Sequence, residues 1–119
     1  MESNRQKKIN QLLQKELAEI FRKQSAEMNT NILISVTEVK VSSDLGVAKV
    51  FLSVYPKEYR EAIMKEVQLL TSKIRRILGN KIAKQVRQVP ELIFYLDITL
   101  DNVEKIEKAL KGKDENPIL

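Results

Sequence analysis

The chain has 119 residues, 21 of them Lys or Arg and 16 Asp or Glu, for a net charge of +5. That is the length of one domain at roughly 100–200 residues each, and 43% hydrophobic residues supply a real core. The absence of Cys excludes disulfides, thiolate metal sites and cysteine nucleophiles, and the absence of His removes the commonest general base and metal ligand. No window approaches the roughly 18 apolar residues of a membrane span. The first residues lack the apolar segment of a signal peptide. The sequence therefore reads as a cytoplasmic protein with no membrane partner.

In chain order, residues 4–25 form an amphipathic helix. Ile9, Leu12, Leu13, Leu17, Ile20 and Phe21 make one apolar stripe. Ser3 with Gln6 fits a capping box. The opposite face carries Arg5, Lys7, Lys8, Lys15, Arg22 and Lys23, and residues 25–31 read as a polar connection.

The period then becomes two. Ile32, Ile34 and Val36 alternate, and Val39 and Val41 continue in the opposite phase, which calls for a bulge near Thr37-Glu38. The run 42–46 is a turn, with Gly46 suited to a positive φ. Ala48, Val50, Leu52 and Val54 share one face of a second strand, and the pair reads as an antiparallel hairpin ended by Pro56.

Helical spacing returns over roughly 58–88, where Ile63, Val67, Leu70, Ile74 and Leu78 form a stripe that resumes at Ile82 and Val86. Gly79-Asn80 interrupts it, and both residues tolerate the left-handed conformation that ends helices. The reading is two helices or one kinked helix. Val89-Pro90 closes the stretch. A third strand covers about 91–99, with Leu92, Phe94, Leu96 and Ile98 on one face. A short helix follows through Val103, Ile106 and Leu110, and the tail 112–119 reads as flexible. The order α-β-β-α-α-β predicts a single α+β domain over 1–111, its helices packed on one face of a three-stranded sheet. Phe51, Tyr55, Ile93 and Tyr95 would line the other face.

The charge is uneven. Residues 57–90 hold nine basic and three acidic side chains, whereas 91–119 hold four and seven. Between Glu66 and Glu91 there is no acid, only Lys73, Arg75, Arg76, Lys81, Lys84 and Arg87. An acid-free run of cations is the pattern of a phosphate-tracking surface. Arg5, Lys7 and Lys8 are second candidates. Phe51, Tyr55 and Tyr95 are candidates for base stacking, although strand aromatics more often fill a sheet face.

Signs of catalysis are weak. The glycines are isolated at 46, 79 and 112, so no phosphate loop exists. Asp97 with Asp101 or Glu91 is the only carboxylate pairing to consider for metal-dependent hydrolysis, and no nucleophile accompanies it. A helix-turn-helix around Gly79-Asn80 is the alternative, a DNA-binding module with its basic second helix in the major groove.

Two segments resemble one family. Val41-Ser42-Ser43-Asp44-Leu45-Gly46-Val47-Ala48-Lys49-Val50-Phe51-Leu52-Ser53 matches the pattern V-S-x-D-L-x-x-A-x-V-x-x-S, and Arg87-Gln88-Val89-Pro90-Glu91-Leu92-Ile93-Phe94-Tyr95-Leu96-Asp97 matches a helix-to-strand junction. Arg5, Lys8, Ile9, Leu12, Glu16 and Leu17 agree as well. Together they resemble the ribosome-binding factor A family of bacterial small-subunit assembly factors, collinearly over about 4–111. The resemblance implies a KH-like fold of the second type. It implies binding to the immature 30S subunit and its small-subunit ribosomal RNA during late maturation and rRNA processing, with no catalysis. Nothing in the sequence points beyond a monomer, and no cofactor is expected. The resemblance also implies a kinked helix pair in place of the G-x-x-G loop of KH domains. Thr71-Ser72-Lys73 and Gly79-Asn80-Lys81 are the two places for that kink.

Overall fold

The structure is a computed structural model that describes residues 2–28 and 31–98. The helix expected through Val103, Ile106 and Leu110 and the tail from Gly112 lie outside the described residues.

Helix α1 spans Asn4–Met28. The capping box forms: the Ser3 N–H donates to Gln6 Oε1 (2.8 Å) and the Gln6 N–H to Ser3 Oγ (3.1 Å), so two donors at the helix start are satisfied reciprocally. The helix runs three residues past the expected end, because Ala26, Glu27 and Met28 are good helix formers with no Gly or Pro to stop them. Leu13 and Leu17 are fully buried, and Ile20 and Phe21 nearly so.

Strands β1 (Leu33–Val41) and β2 (Val47–Tyr55) pair antiparallel. Val36 faces Leu52 and Glu38 faces Phe51, so Thr37 is the extra residue of a bulge. The bulge brings Val39 and Val41 onto the buried face with Val36, which accounts for the phase flip in the sequence. Their connection departs from expectation. The residue with positive φ is Leu45 (61°), not Gly46. Gly46 serves close approach instead: a Cβ there would lie 3.3 Å from Asp44 Oδ1, the atom that accepts the Gly46 N–H. Leu45 packs against the core, which offsets its backbone strain.

After a 3₁₀ turn at Lys57–Tyr59 come α2 (Arg60–Leu69) and α3 (Thr71–Ile82). The break falls at Leu70, one residue before the first candidate place, Thr71-Ser72-Lys73, which opens α3. Thr71 Oγ1 lies 3.1 Å from the Val67 carbonyl and 3.0 Å from that of Gln68, and such back-bonding bends helices. Gly79-Asn80 lies inside α3, so the expected interruption there is absent, and with it the helix-turn-helix. The reason is packing: a Cβ on Gly79 would lie 3.1 Å from Val89 Cγ2, so the glycine lets the 83–90 connection close on the helix. That connection is turn and bend rather than helix to 88.

Strand β3 (Glu91–Leu96) pairs parallel to β2, giving the sheet order β1-β2-β3. The three helices cover one face of this mixed sheet. Leu13, Leu17, Val50, Leu52, Ile74 and Leu78 fill the interface, and Phe21 meets Phe94 edge-to-face at 6.0 Å. The other face is open. There Phe51 and Tyr95 stack at 5.4 Å and 23°, and Leu33, Tyr55 and Ile93 are exposed. Among the described residues no helix is long and apolar enough to cross a membrane.

Candidate nucleic-acid interface

All nine predicted phosphate-binding cations are exposed. The fold brings six of them to three separate shallow clefts rather than along one line.

Lys73 and Lys81 stand two turns apart on α3. With Ile77 between them they line a cleft of about 330 Å³, whose far wall is Ile20, Lys23 and Gln24 of α1. Lys23 is the addition that sequence reasoning missed. It carries no local signal, because only the packing of α1 on α3 brings it there. Glu19 is an acid near this cleft: the Arg22 side chain, by hydrogen bond and by charge, holds its carboxyl below the usual range, and Lys23 and Lys81 act in the same direction.

Arg76 lies in a more open cleft of about 400 Å³ with Ser72, Arg75, Gly79 and Val89. Arg75 has a second occupation. Its Nε donates to the Pro90 carbonyl (3.0 Å) and its Nη2 to that of Val89 (2.6 Å). These charge-assisted bonds tie the connection into β3 to the helix. Arg75 is thus a structural clamp with donors to spare, and not simply a free cation.

Arg87 and Arg5 line a third cleft, of about 320 Å³, between the start of α1, the hairpin turn and the 83–90 connection. Lys84, Lys7 and Lys8 line none of the three. Among the described residues, none of Lys73, Arg76, Lys81, Lys84 and Arg87 has a carboxylate within ion-pair distance.

The acids considered for catalysis are placed otherwise. Asp97 Oδ2 accepts from the Thr37 hydroxyl at 2.5 Å, and its N–H donates to the Leu52 carbonyl at 2.7 Å, so it closes the sheet beside the bulge. Asp101 lies outside the described residues. Among the described residues no group of three or more Asp or Glu is placed to hold a metal ion.

Residues 5–110 match the family model described as ribosome-binding factor A. The chain is 44% identical to ribosome-binding factor A of Cytophaga hutchinsonii, covering 98% of this chain and 92% of that one. It is 42% identical to the protein of the same name from Christiangramia forsetii, covering 96% and 88%. The fold is similar to the crystal structure of ribosome-binding factor A from Thermus thermophilus, with a TM-score of 0.62 at 19% identity over 76% of this chain and 94% of that one. With its α+β, KH-like architecture and kinked helix pair, the chain belongs to the ribosome-binding factor A family.

Proposed function

We propose that the protein binds the immature 30S subunit through small-subunit ribosomal RNA during late maturation and rRNA processing, without catalysis. The observation that carries this reading is the set of unpaired cations on and beside α3: Lys73, Arg76, Lys81, Lys84 and Arg87, with no ion-pairing acid among the described residues. Arg5, Lys7 and Lys8 extend the positive surface along α1, and Arg75 contributes through the donors left over from its clamp. The family name of the relatives supplies the ribosome as partner.

Such a factor works by differential affinity. It binds one arrangement of the RNA better than another and shifts the population toward it. The protein acts as a cytoplasmic monomer and needs no cofactor. Each cation that neutralises a phosphate releases a counterion, so affinity falls with salt at a logarithmic slope of about −0.7 per contact on single strands.

The test is co-sedimentation with small subunits, comparing the natural chain with a Lys73→Glu, Arg76→Glu, Lys81→Glu variant. Arg75 is left in place so that the fold is not disturbed. The variant should unfold at the same temperature as the natural chain and no longer pellet with the subunits. A folded variant that pellets as before would remove this surface from the interface.

A further inference from the structure

The third cleft has a chemistry that the other two lack. It holds two guanidiniums, Arg5 and Arg87, and one carboxylate, Asp44, in a volume of about 320 Å³. That is near the lower end of the roughly 300–1,000 Å³ range of ligand sites. Its walls are fixed by bonds that leave these three groups largely free. Gln6 Nε2 ties α1 to the Val41 carbonyl (3.2 Å), and the Glu91 N–H ties β3 to the Gly46 carbonyl (2.9 Å). Arg75 holds the carbonyls of Val89 and Pro90. Arg5 and Arg87 have no hydrogen-bond or ion-pair partner among the described residues.

Asp44 is half engaged. Its Oδ1 accepts from Ser42 Oγ (2.6 Å) and the Gly46 N–H (3.0 Å), and Asp44's own N–H also acts on the carboxyl, while no hydrogen bond from another described residue reaches Oδ2. These donors hold the carboxyl below its ordinary range, so it is an acceptor at neutral pH. A bare phosphate would meet the arginines but be repelled by Asp44. A ligand that carries a phosphate at one end and an amino donor at the other satisfies all three. Guanidinium pairs with phosphate oxygens in a planar fork, and a carboxylate accepts from the exocyclic amino group of a base. Partly buried Leu45 and Val86 supply apolar wall for the base itself.

We propose that the cleft formed by Arg5, Arg87 and Asp44 takes one nucleotide of single-stranded RNA whose base carries an exocyclic amino group. The nucleotide's phosphate lies on the arginines and its amino group on Asp44. This rests on the ribosomal RNA reading and adds base selection to a surface that otherwise reads only phosphate.

The experiment titrates the full chain with fluorescent octacytidylate and octauridylate, which differ at the base position that faces a carboxylate. Octacytidylate should bind about tenfold tighter, as expected for one amino–carboxylate contact. Asp44→Asn should bring the two affinities together, and Arg5→Gln with Arg87→Gln should weaken both. An octamer of N4,N4-dimethylcytidine should bind like octauridylate, an arm that needs no protein variant to fold. Equal binding of the cytidine and uridine octamers, or no binding of either, overturns the proposal. Co-sedimentation of the same preparation with small subunits separates the two readings. If the protein still pellets, only the cleft falls; if it does not, the ribosomal reading falls with it.

Discussion

Helices α1 and α3 feed the same core but use their polar side chains in opposite ways. On α1, Gln6, Asn10 and Gln14 recur every four residues and turn toward β1. Gln6 donates to the Val41 carbonyl, Asn10 Oδ1 accepts the Val41 N–H at 2.8 Å, and Gln14 Nε2 donates to the carbonyls of Val36 (3.1 Å) and Thr37 (3.3 Å). Strand β1 is an edge strand, and such edges present unpaired backbone groups that invite other chains. The amides of α1 take up part of that edge. On α3 the corresponding flanks carry Lys73, Arg76 and Lys81, which bond nothing among the described residues. Two amphipathic helices of similar apolar pattern are thus a fastener and an open surface. Burial does not distinguish them; the fate of their polar atoms does.

The comparison breaks if the two sets of residues fail in the same assay. The largest stability effect is expected at Gln14→Ala. This substitution leaves the two bulge carbonyls without their donor in a part-buried place, at a cost of about 1–3 kcal/mol. Urea denaturation should show the loss as a lower midpoint, while small-subunit binding by the folded fraction stays unchanged. A variant of undiminished stability would mean that the bulge carbonyls find water as readily as the amide.

Arg75 is the exception on α3 and sharpens the contrast. Arg75→Gln removes both bonds to the carbonyls of Val89 and Pro90 and should cost about 1–2 kcal/mol. Arg76→Gln, one residue along, touches no such group and should stay within about 0.5 kcal/mol. In the binding assay both should weaken the complex. Equal stability of the two variants would show that packing on Gly79 and the Glu91 N–H bond to the Gly46 carbonyl hold the connection into β3 without the Arg75 clamp.

The sequence carries the apolar half of this comparison and little of the polar half. The stripe from Ile9 to Phe21, the capping box, the bulge at Thr37 and the α-β-β-α-α-β order are periodic or local, and periodicity records them directly. The amide ladder of α1 is regular too, but its meaning depends on which strand lies beneath, and no spacing within the helix says so. Gly79 misleads for a related reason. A glycine in a helix costs about 1 kcal/mol relative to alanine and ordinarily marks an end, but here the close approach of Val89 requires it. The helix breaks instead at Leu70–Thr71, where a threonine hydroxyl bonding backward leaves a fainter trace. Arg75 reads as one more cation in an acid-free run, since a side chain's carbonyl partners fifteen residues away are invisible to composition.

The smallest effect separates two carboxylates that are both held below their ordinary pKa. Asp44, in the hairpin turn, is held first by the Ser42 hydroxyl and then by the Gly46 N–H, both uncharged donors. Glu19, near the α3 surface, is held first by its hydrogen bond to Arg22 and next by the charge of Arg22, with Lys23 and Lys81 adding to it. In each case the folded carboxyl binds its proton less readily than the unfolded one. Its contribution to stability is therefore present above the unfolded value, near 3.8 for Asp44 and 4.5 for Glu19, and is lost as pH falls through the lowered folded value. Salt tells the causes apart. At 1 M the screening length is about 3 Å, which weakens charges acting across solvent but not a neutral donor in contact. Carboxyl chemical shifts followed against pH should therefore show the Glu19 midpoint rising toward 4.5 in high salt while that of Asp44 stays below 3.8. Equal movement of both midpoints would mean that the turn, like the exposed Glu19–Arg22 pair, is governed by charge rather than by uncharged donors in contact.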